Sequence, residues 1–521
     1  MNLVKLKKTR VCVSLIFFLI IIISFLDISH ILPPKIFPYL LYFQFIPSAI
    51  KFFNQFSILA TGFIIVLVLT LLYGRIYCSS VCPLGTLQDI ISRLSFLLNK
   101  NKYFQMLNEF KLLRYSVLIV TIISLFSGSV ILLNLIDPYS LTGKICTNIF
   151  RLAAIPLNNL LAILLERFNI FSVYPIDLKA LSWLAIIFSS TALLIIGIMS
   201  FSKGRLFCNT ICPVGTLLGL ISRYSLYKIT IDQNECSSCG ICETVCKAGC
   251  INNSNQQIDF ERCVNCFNCF TVCPSNGILY KKSSIISHNA SRQQIDEKKR
   301  KFFKRFFVSV IGLSGFLRAQ VKIVPKKKST IPILKNLHPS PPGSLSVEHY
   351  YNNCTACHLC VSACPTHVLQ PSFLEHGLFN ILQPYLDNST AYCTFECVRC
   401  TEVCPTGAIL PLTIEKKKKL QIGKTNFIKE NCIVETEGTA CGACSERCPT
   451  KAVIMVPYKN NLKIPEVKNE YCIGCGACEY ACPTVPFKAI YVEGIQVHQT
   501  AKIAPQERLE QEVNYKEEFP F

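Results

Sequence analysis

Residues 74–85 read G-R-I-Y-C-S-S-V-C-P-L-G, and residues 204–215 read G-R-L-F-C-N-T-I-C-P-V-G. The phrases stand 130 residues apart, and each ends a long apolar run. Identity continues in register through Thr86/Thr216, Ser92/Ser222, Arg93/Arg223 and Ser95/Ser225. A fixed offset of this kind means one structural unit used twice. Two apolar segments that enter their loops the same way imply a parallel repeat, with both cysteine pairs on one face. C-x3-C-P is also the second half of a ferredoxin run: third ligand, fourth ligand, proline. Proline suits the first position of a following helix, which has no use for its N–H. Segments 84–98 and 214–227 therefore read as short helices lying along a membrane surface.

The apolar runs around these phrases are long enough to cross a bilayer. The first follows the basic start M-N-L-V-K-L-K-K-T-R and covers about 11–29. It lacks a small-residue cleavage site, which argues against a removable leader. The others fall at 56–73, about 115–136 and about 180–201. Arg75, Arg93, Lys100, Lys102, Lys111 and Arg114 sit between the second and third runs. They place the N-terminus and both cysteine loops in the cytoplasm. The segment 137–179 reads as a loop, and its own four basic residues soften that rule. The expected fold is an α-helical membrane domain of four spans, with a fifth candidate in the linker, plus α+β ferredoxin-like iron–sulfur modules.

The expected domains are a membrane part at 1–229, a two-cluster module at 230–282, a basic linker at 283–350, a four-cluster module at 351–495 and a tail at 496–521. The formal charge is +21 and hydrophobic residues make up 51% of the chain. The basic residues gather at the ends of apolar runs, so the charge reads as membrane topology rather than nucleic-acid binding. Iron–sulfur centres are net anions, which basic neighbours offset.

The chain has 31 cysteines, and they come in tight runs unlike a secreted disulfide scaffold. Cys236, Cys239, Cys242, Cys246 and Cys263, Cys266, Cys269, Cys273 have x2, x2, x3 spacing. This wraps a chain around a [4Fe-4S] cubane, with the fourth cysteine of each run serving the other cluster. The expected sets are Cys236, Cys239, Cys242, Cys273 and Cys263, Cys266, Cys269, Cys246. Lys247 stands where proline is usual, and Cys250 reads as a spare thiol or an alternative ligand. Four more runs follow: Cys354, Cys357, Cys360, Cys364; Cys393, Cys397, Cys400, Cys404; Cys432, Cys441, Cys444, Cys448; and Cys472, Cys475, Cys478, Cys482. All four end in Cys-Pro, and the six runs together call for about six clusters. Their sharing in the last module is not legible from spacing. C-T-A-C-H at 354–358 matches a haem-attachment phrase, but its cysteines are needed by the run, so His358 reads as a loop residue.

Cys78, Cys82, Cys208 and Cys212 offer two thiols per loop and four together. They read as one metal or cluster site across the repeat, as two redox dithiols, or as structural cysteines. Cys12 and Cys146 stand alone and read as structural. Asp137, in D-P-Y-S, is either a helix cap or a quinone contact.

Residues 1 to about 282 resemble the NapH/NosR/MauN type of membrane ferredoxin, on the paired G-R-x-x-C-x3-C-P loops, four apolar runs and a two-cluster module. Residues from about 296 to 495 resemble the MauM/NapG type, on four runs that include C-I-V-E-T-E-G-T-A-C-G-A-C-S-E-R-C-P and C-I-G-C-G-A-C-E-Y-A-C-P. The resemblance implies a fusion in the bacterial inner membrane that passes electrons from the quinol pool, through the clusters, to a periplasmic or membrane redox protein such as nitrate reductase. NosR-like and CcoG-like relatives imply an alternative, metalloenzyme maturation or regulation through the paired cysteines. A third reading runs electrons from a cytoplasmic ferredoxin to quinone. The phrase R-K-F-F-K-R at 300–305, followed by twelve apolar residues, resembles a degenerate twin-arginine signal and implies export of the last module. Against that stands an interfacial helix at 302–317, with the module left in the cytoplasm.

Overall fold

A computed structural model describes residues 3–26, 32–33, 36–55, 60–98, 103–106, 110–176, 182–282, 335–373, 375 and 377–504. The apolar linker segment near 302–317 lies outside the described residues. The chain divides into two compact units: one from Met1–Leu26, Ile36–Ala153 and Ala185–Ile323, the other from Asp27–Lys35, Ala154–Leu184 and Val324–Phe521.

The first unit opens with α1 (Leu3–Leu26), α2 (Phe37–Leu40), α3 (Phe45–Gln55) and α4 (Gly62–Tyr73). The first loop follows as α5 (Ile76–Ser80) and α6 (Pro83–Leu98). Then come α7 (Lys111–Phe126), α8 (Ile131–Ile136), α9 (Pro138–Ile145) and α10 (Arg151–Glu166), the last two joined by a π-turn at Cys146–Phe150. The second copy is α11 (Trp183–Lys203), α12 (Leu206–Thr210) and α13 (Pro213–Ser222), in register with α4, α5 and α6.

Among the described residues three helical stretches are long and apolar enough to cross a membrane: Lys5–Leu26, Pro138–Glu166 and Trp183–Lys203. The first and last are the expected outer spans. The two expected between them are revised. Among the described residues the 56–73 run is helical only over Gly62–Tyr73, about 18 Å at 1.5 Å per residue. A bilayer core is about 30 Å thick. Gly62 leaves room for a close approach, since a Cβ there would lie 1.8 Å from the Tyr42 carbonyl oxygen. The 115–136 run is broken after Phe126 by Ser127–Gly128, with Gly128 at φ +78°. The 137–179 segment is not a loop but begins with the second of the long helices. Asp137 accepts from the Ser140 amide at 2.8 Å, and Pro138 takes the first helical position. That is a complete helix-start signal, which a hydropathy window does not see. Asp137 is thus a buried helix cap.

The first unit continues into a cysteine-rich part with β1 (Tyr227–Ile231), α14 (Ile241–Thr244), β2 (Ile251–Asn252), β3 (Gln257–Ile258) and β4 (Ile278–Lys282). Antiparallel β1–β4 closes it end to end, with Ile229 opposite Tyr280. This part is anchored to the helices: Leu226 donates to the Leu71 carbonyl at 2.8 Å, and Tyr227 stacks on Tyr73 at 5.5 Å. The second unit repeats the plan with paired ribbons β5 (Leu369–Pro371) and β6 (Pro384–Leu386), β7 (Leu420–Phe427) and β10 (Ile490–Thr500), and β8 (Val453–Pro457) and β9 (Lys463–Val467). Every sheet has two antiparallel strands, so the cores are small and lined largely by cysteine.

Candidate functional site

In four of the six runs the residues flanking the second cysteine both take positive φ: Ser238/Gly240, Asn265/Phe267, Ala356/His358 and Gly474/Gly476. Two left-handed residues around one cysteine curl the loop, so that sulfurs spaced x2, x2 face a common point. His358 belongs to this curl, and its Nε2 lies 2.9 Å from the Leu382 carbonyl oxygen. The runs at 393–404 and 432–448, with longer first gaps, lack the pattern among their described residues.

In five of the six runs the fourth cysteine lies beside the neighbouring run. Cys364 lines a small pocket with Cys393, Cys397 and Cys400. Cys482 lines another with Cys432, Cys441 and Cys444. Cys360 has Cys354, Cys357, Cys404 and, more weakly, Cys400 within electrostatic reach. Cys478 has Cys475, Cys472 and Cys448. In the first unit Cys269 has Cys266, Cys263, Cys246 and, more weakly, Cys242 within reach. Cys242 faces Cys236 and Cys239. Cys273 has the Ser275 hydroxyl 3.7 Å from its sulfur, and its closing the Cys236 set remains a proposal. Cys250 lies 3.5 Å from Cys246, sulfur to sulfur, and is fully buried beside that set.

The two pairs of sets in the second unit touch. The Cys393 amide donates to the Cys475 carbonyl at 2.9 Å. The sets therefore follow one another as Cys354–Cys404, Cys393–Cys364, Cys472–Cys448 and Cys432–Cys482. Burial pushes these thiols up, Cys444 and Cys475 each to about 12. Four such groups do not ionise together without a cationic centre, and iron supplies one. No three His, Cys, Asp or Glu side chains among the described residues converge on a single ion. Backbone donors already point at several sulfurs: Gly474 to Cys472 at 3.3 Å, Ala452 to Cys448 at 3.2 Å and Ile409 to Cys404 at 3.4 Å.

Sequence reading missed a set of hydroxyls. In the ferredoxin runs each Cys-Pro is followed by Thr or Ser, and in the second unit that hydroxyl returns to the cysteine: Thr366 to Cys364 at 3.6 Å, Thr406 to Cys404 at 3.7 Å, Thr450 to Cys448 at 3.7 Å and Thr484 to Cys482 at 3.1 Å. The repeated C-P-T was the available signal. A hydroxyl donated to a ligand sulfur favours the reduced, more negative cluster. Thr484→Val is expected to lower the potential of the Cys482-linked cluster. A bond worth about 1 kcal/mol corresponds to about 40 mV for one electron. An EPR redox titration reads this directly, and an unchanged or raised potential contradicts it.

The paired loops meet. Cys78, Cys82, Cys208 and Cys212 are all buried, and each pair lies within electrostatic reach of the other. Each half reaches across to hold its counterpart. Arg75 Nη2 donates to the Cys208 carbonyl at 3.2 Å, and Arg205 Nη1 donates to the Cys78 carbonyl. Gly85 and Gly215 make room: a Cβ on either would stand 2.3 Å from the Cys78 or Cys208 carbonyl oxygen. Arg75 Nη1 also donates to Asn209 Oδ1 and to the Glu261 carbonyl, both at 2.9 Å. Asn209 donates to the Ala248 carbonyl at 3.1 Å. Neither arginine was singled out for this role from sequence, although both stand in the repeated G-R. The symmetry breaks at Asp89, which binds Arg205 at 2.8 Å, Lys247 at 3.0 Å and Arg10 at 3.4 Å. Its repeat position is Gly219. Burial raises the Asp89 carboxyl, but the three cations overrule it and hold it well below the ordinary carboxylate range. Burial raises Cys208 to about 11, tempered by Arg205 and Arg75.

A family model described as a 4Fe-4S binding domain matches residues 56–101 and 183–230, the two copies of the repeat. Three 4Fe-4S dicluster models match 353–409, 439–485 and 259–368. The first two coincide with the crosswise sets seen here. The third spans the linker, whereas Cys246 lies within electrostatic reach of Cys269 and Cys404 within that of Cys360. An uncharacterized protein of Methanocaldococcus jannaschii is 27% identical over 42% of this chain and 68% of its own. The methylamine utilization ferredoxin-type protein MauM of Methylobacillus flagellatus is 27% identical over 36% of this chain and 81% of its own. The ferredoxin-type protein NapG of Escherichia coli is 29% identical over 27% of this chain and 60% of its own. The chain carries 4Fe-4S ferredoxin-type domains of the kind found in iron–sulfur electron-transfer proteins.

Proposed function

We propose that the chain is a membrane-embedded electron relay that takes electrons from quinol and passes them to a redox partner such as a periplasmic reductase. Six [4Fe-4S] clusters on the six runs, paired crosswise, would supply the one-electron carriers. The observation that carries the reading is the hydrogen bond from the Cys393 amide to the Cys475 carbonyl, which sets two dicluster pairs side by side. The long apolar helices support a membrane setting; Arg10 Nη1 donates to the Ser79 carbonyl at 2.9 Å, which keeps the start of α1 beside the first loop, and the basic residues there favour the cytoplasmic face.

A cavity in the first unit suits the donor. It opens between α1, α6 and the cysteine-rich part, with about 390 Å3 of accessible space. Val11, Leu15, Ile90 and Phe96 give it apolar walls, and Asp89 and Lys7 give it polar ends. That combination fits an isoprenoid-tailed hydroquinone. The ionised Asp89 would accept from a quinol hydroxyl. Asp137 does not line this cavity. Adding a menaquinol analogue to the purified anaerobic chain is expected to reduce clusters seen by EPR. Reduction by dithionite but never by quinol rejects the donor assignment.

A further inference from the structure

We propose that Cys78, Cys82, Cys208 and Cys212 together hold one further [4Fe-4S] cluster, shared between the two copies of the repeat. Each copy alone provides two thiols, too few for a cubane. The fold brings the four into one buried group, no thiol more than 4% exposed. The group does not converge on a single ion, and neither do the ferredoxin sets of the same chain. That argues against a zinc-like centre, which needs tight tetrahedral convergence.

Charge separates a cluster from a pair of dithiols. Arg75 and Arg205 are both 0% exposed beside the cysteines. Arg205 has Asp89, but Arg10 and Lys247 share that same carboxylate. Arg75 has no carboxylate partner among the described residues, because the repeat places Gly219 where Asp89 stands in the first copy. The surroundings therefore carry surplus positive charge in a desolvated site, which is costly without an anion. Neutral thiols or disulfides leave it uncompensated. A [4Fe-4S] centre on four thiolates carries a net charge of about −2 and answers it.

Hydrogen bonding agrees. Arg75 Nε, Arg205 Nη2 and Gln88 Nε2 are buried donors without a partner in the described structure. All three side chains touch the cysteines: Arg75 lies 3.9 Å from Cys78 Sγ, Gln88 Oε1 accepts from Cys208 Sγ at 3.4 Å, and Arg205 binds the Cys78 carbonyl. Buried donors call for acceptors, and cluster sulfides provide them. The Gly215 amide already points at Cys212 Sγ at 3.3 Å. The location is equally specific. Arg75 and Asn209 tie the group to Glu261 and Ala248, two residues from Cys263 and Cys246. The site thus stands between the apolar helices and the nearest ferredoxin set.

The inference goes beyond the relay and stands whether or not quinol is the donor. Iron is counted per chain in the full-length protein purified anaerobically from membranes, and Mössbauer spectra resolve the cluster population. Seven clusters give about 28 iron atoms and six give about 24. Cys78→Ser and Cys208→Ser are each expected to lose about four iron atoms and the same spectral component. Cys12→Ser, on α1 and outside the group, is expected to lose none. Retained signals from the ferredoxin sets show that a variant has folded. A wild-type count of about 24, or serine variants that keep their iron and every component, overturns the proposal. So does recovery of the four cysteines as two disulfides. Quinol plays no part in these readouts, so failure of the donor assignment cannot be confused with failure of this one.

Discussion

Replacing Arg75 with methionine is expected to destabilise the first unit by about 3 kcal/mol or more. The side chain satisfies Asn209 Oδ1, the Glu261 carbonyl and the Cys208 carbonyl, all inside the protein. Each buried acceptor left unpaired costs about 1–3 kcal/mol. Methionine fills much of the volume and supplies no donor. Lysine keeps the charge but not the planar fork, so Arg75→Lys should recover only part of the loss. Thermal unfolding of the detergent-solubilised chain, followed by bleaching of the cluster absorbance, is expected to show a drop of about 6–12 °C. Arg223→Met gives the scale. Arg223 also pairs with Glu261, at 3.4 Å, but its side chain is 49% exposed, and such a pair is worth at most about 1 kcal/mol. Equal shifts for the two variants would remove the case for Arg75 as a buried brace between the repeat and the cysteine-rich part.

Cys364→Ser is expected to remove a cluster held mainly by another run. The cavity it lines belongs to Cys393, Cys397 and Cys400. Cys364→Ser and Cys397→Ser should therefore lose the same EPR component, each with about four iron atoms. Cys404→Ser and Cys357→Ser should share a different one, because Cys404 faces Cys354, Cys357 and Cys360. If Cys364→Ser instead matched Cys357→Ser, each run would hold its own cluster. If it matched Cys266→Ser, the pairing would follow the dicluster match that spans the linker.

These two results bear on different levels of legibility. Cysteine spacing is local: three sulfurs from one short loop can be counted in the chain, and the left-handed residues beside Cys239, Cys266, Cys357 and Cys475 show why the count works. The crosswise partner was legible in the first module as a known habit of such runs. In the second it was not, because four fourth cysteines face several loops and only the placement of the ribbons selects among them. The helices show the complementary failure. Hydropathy found the outer spans but fused Lys111–Phe126 with Ile131–Ile136, passing over Gly128, and took the long helix after Asp137 for a loop. A window that averages apolarity does not register a positive-φ glycine or an Asp-Pro cap. Those signals were present in the residues themselves.

Read alone, the chain determined its cofactor class, its six cysteine runs and the existence of a repeat, because each is written in spacing along the sequence. Tertiary structure decided that Arg75 reaches the opposite half, that Asp89 draws three cations, and that Cys78, Cys82, Cys208 and Cys212 form one group. Those are contacts between residues 79 or more positions apart. They depend on how close two backbones come, here through Gly85 and Gly215 against opposing arginines, and no local pattern encodes that distance.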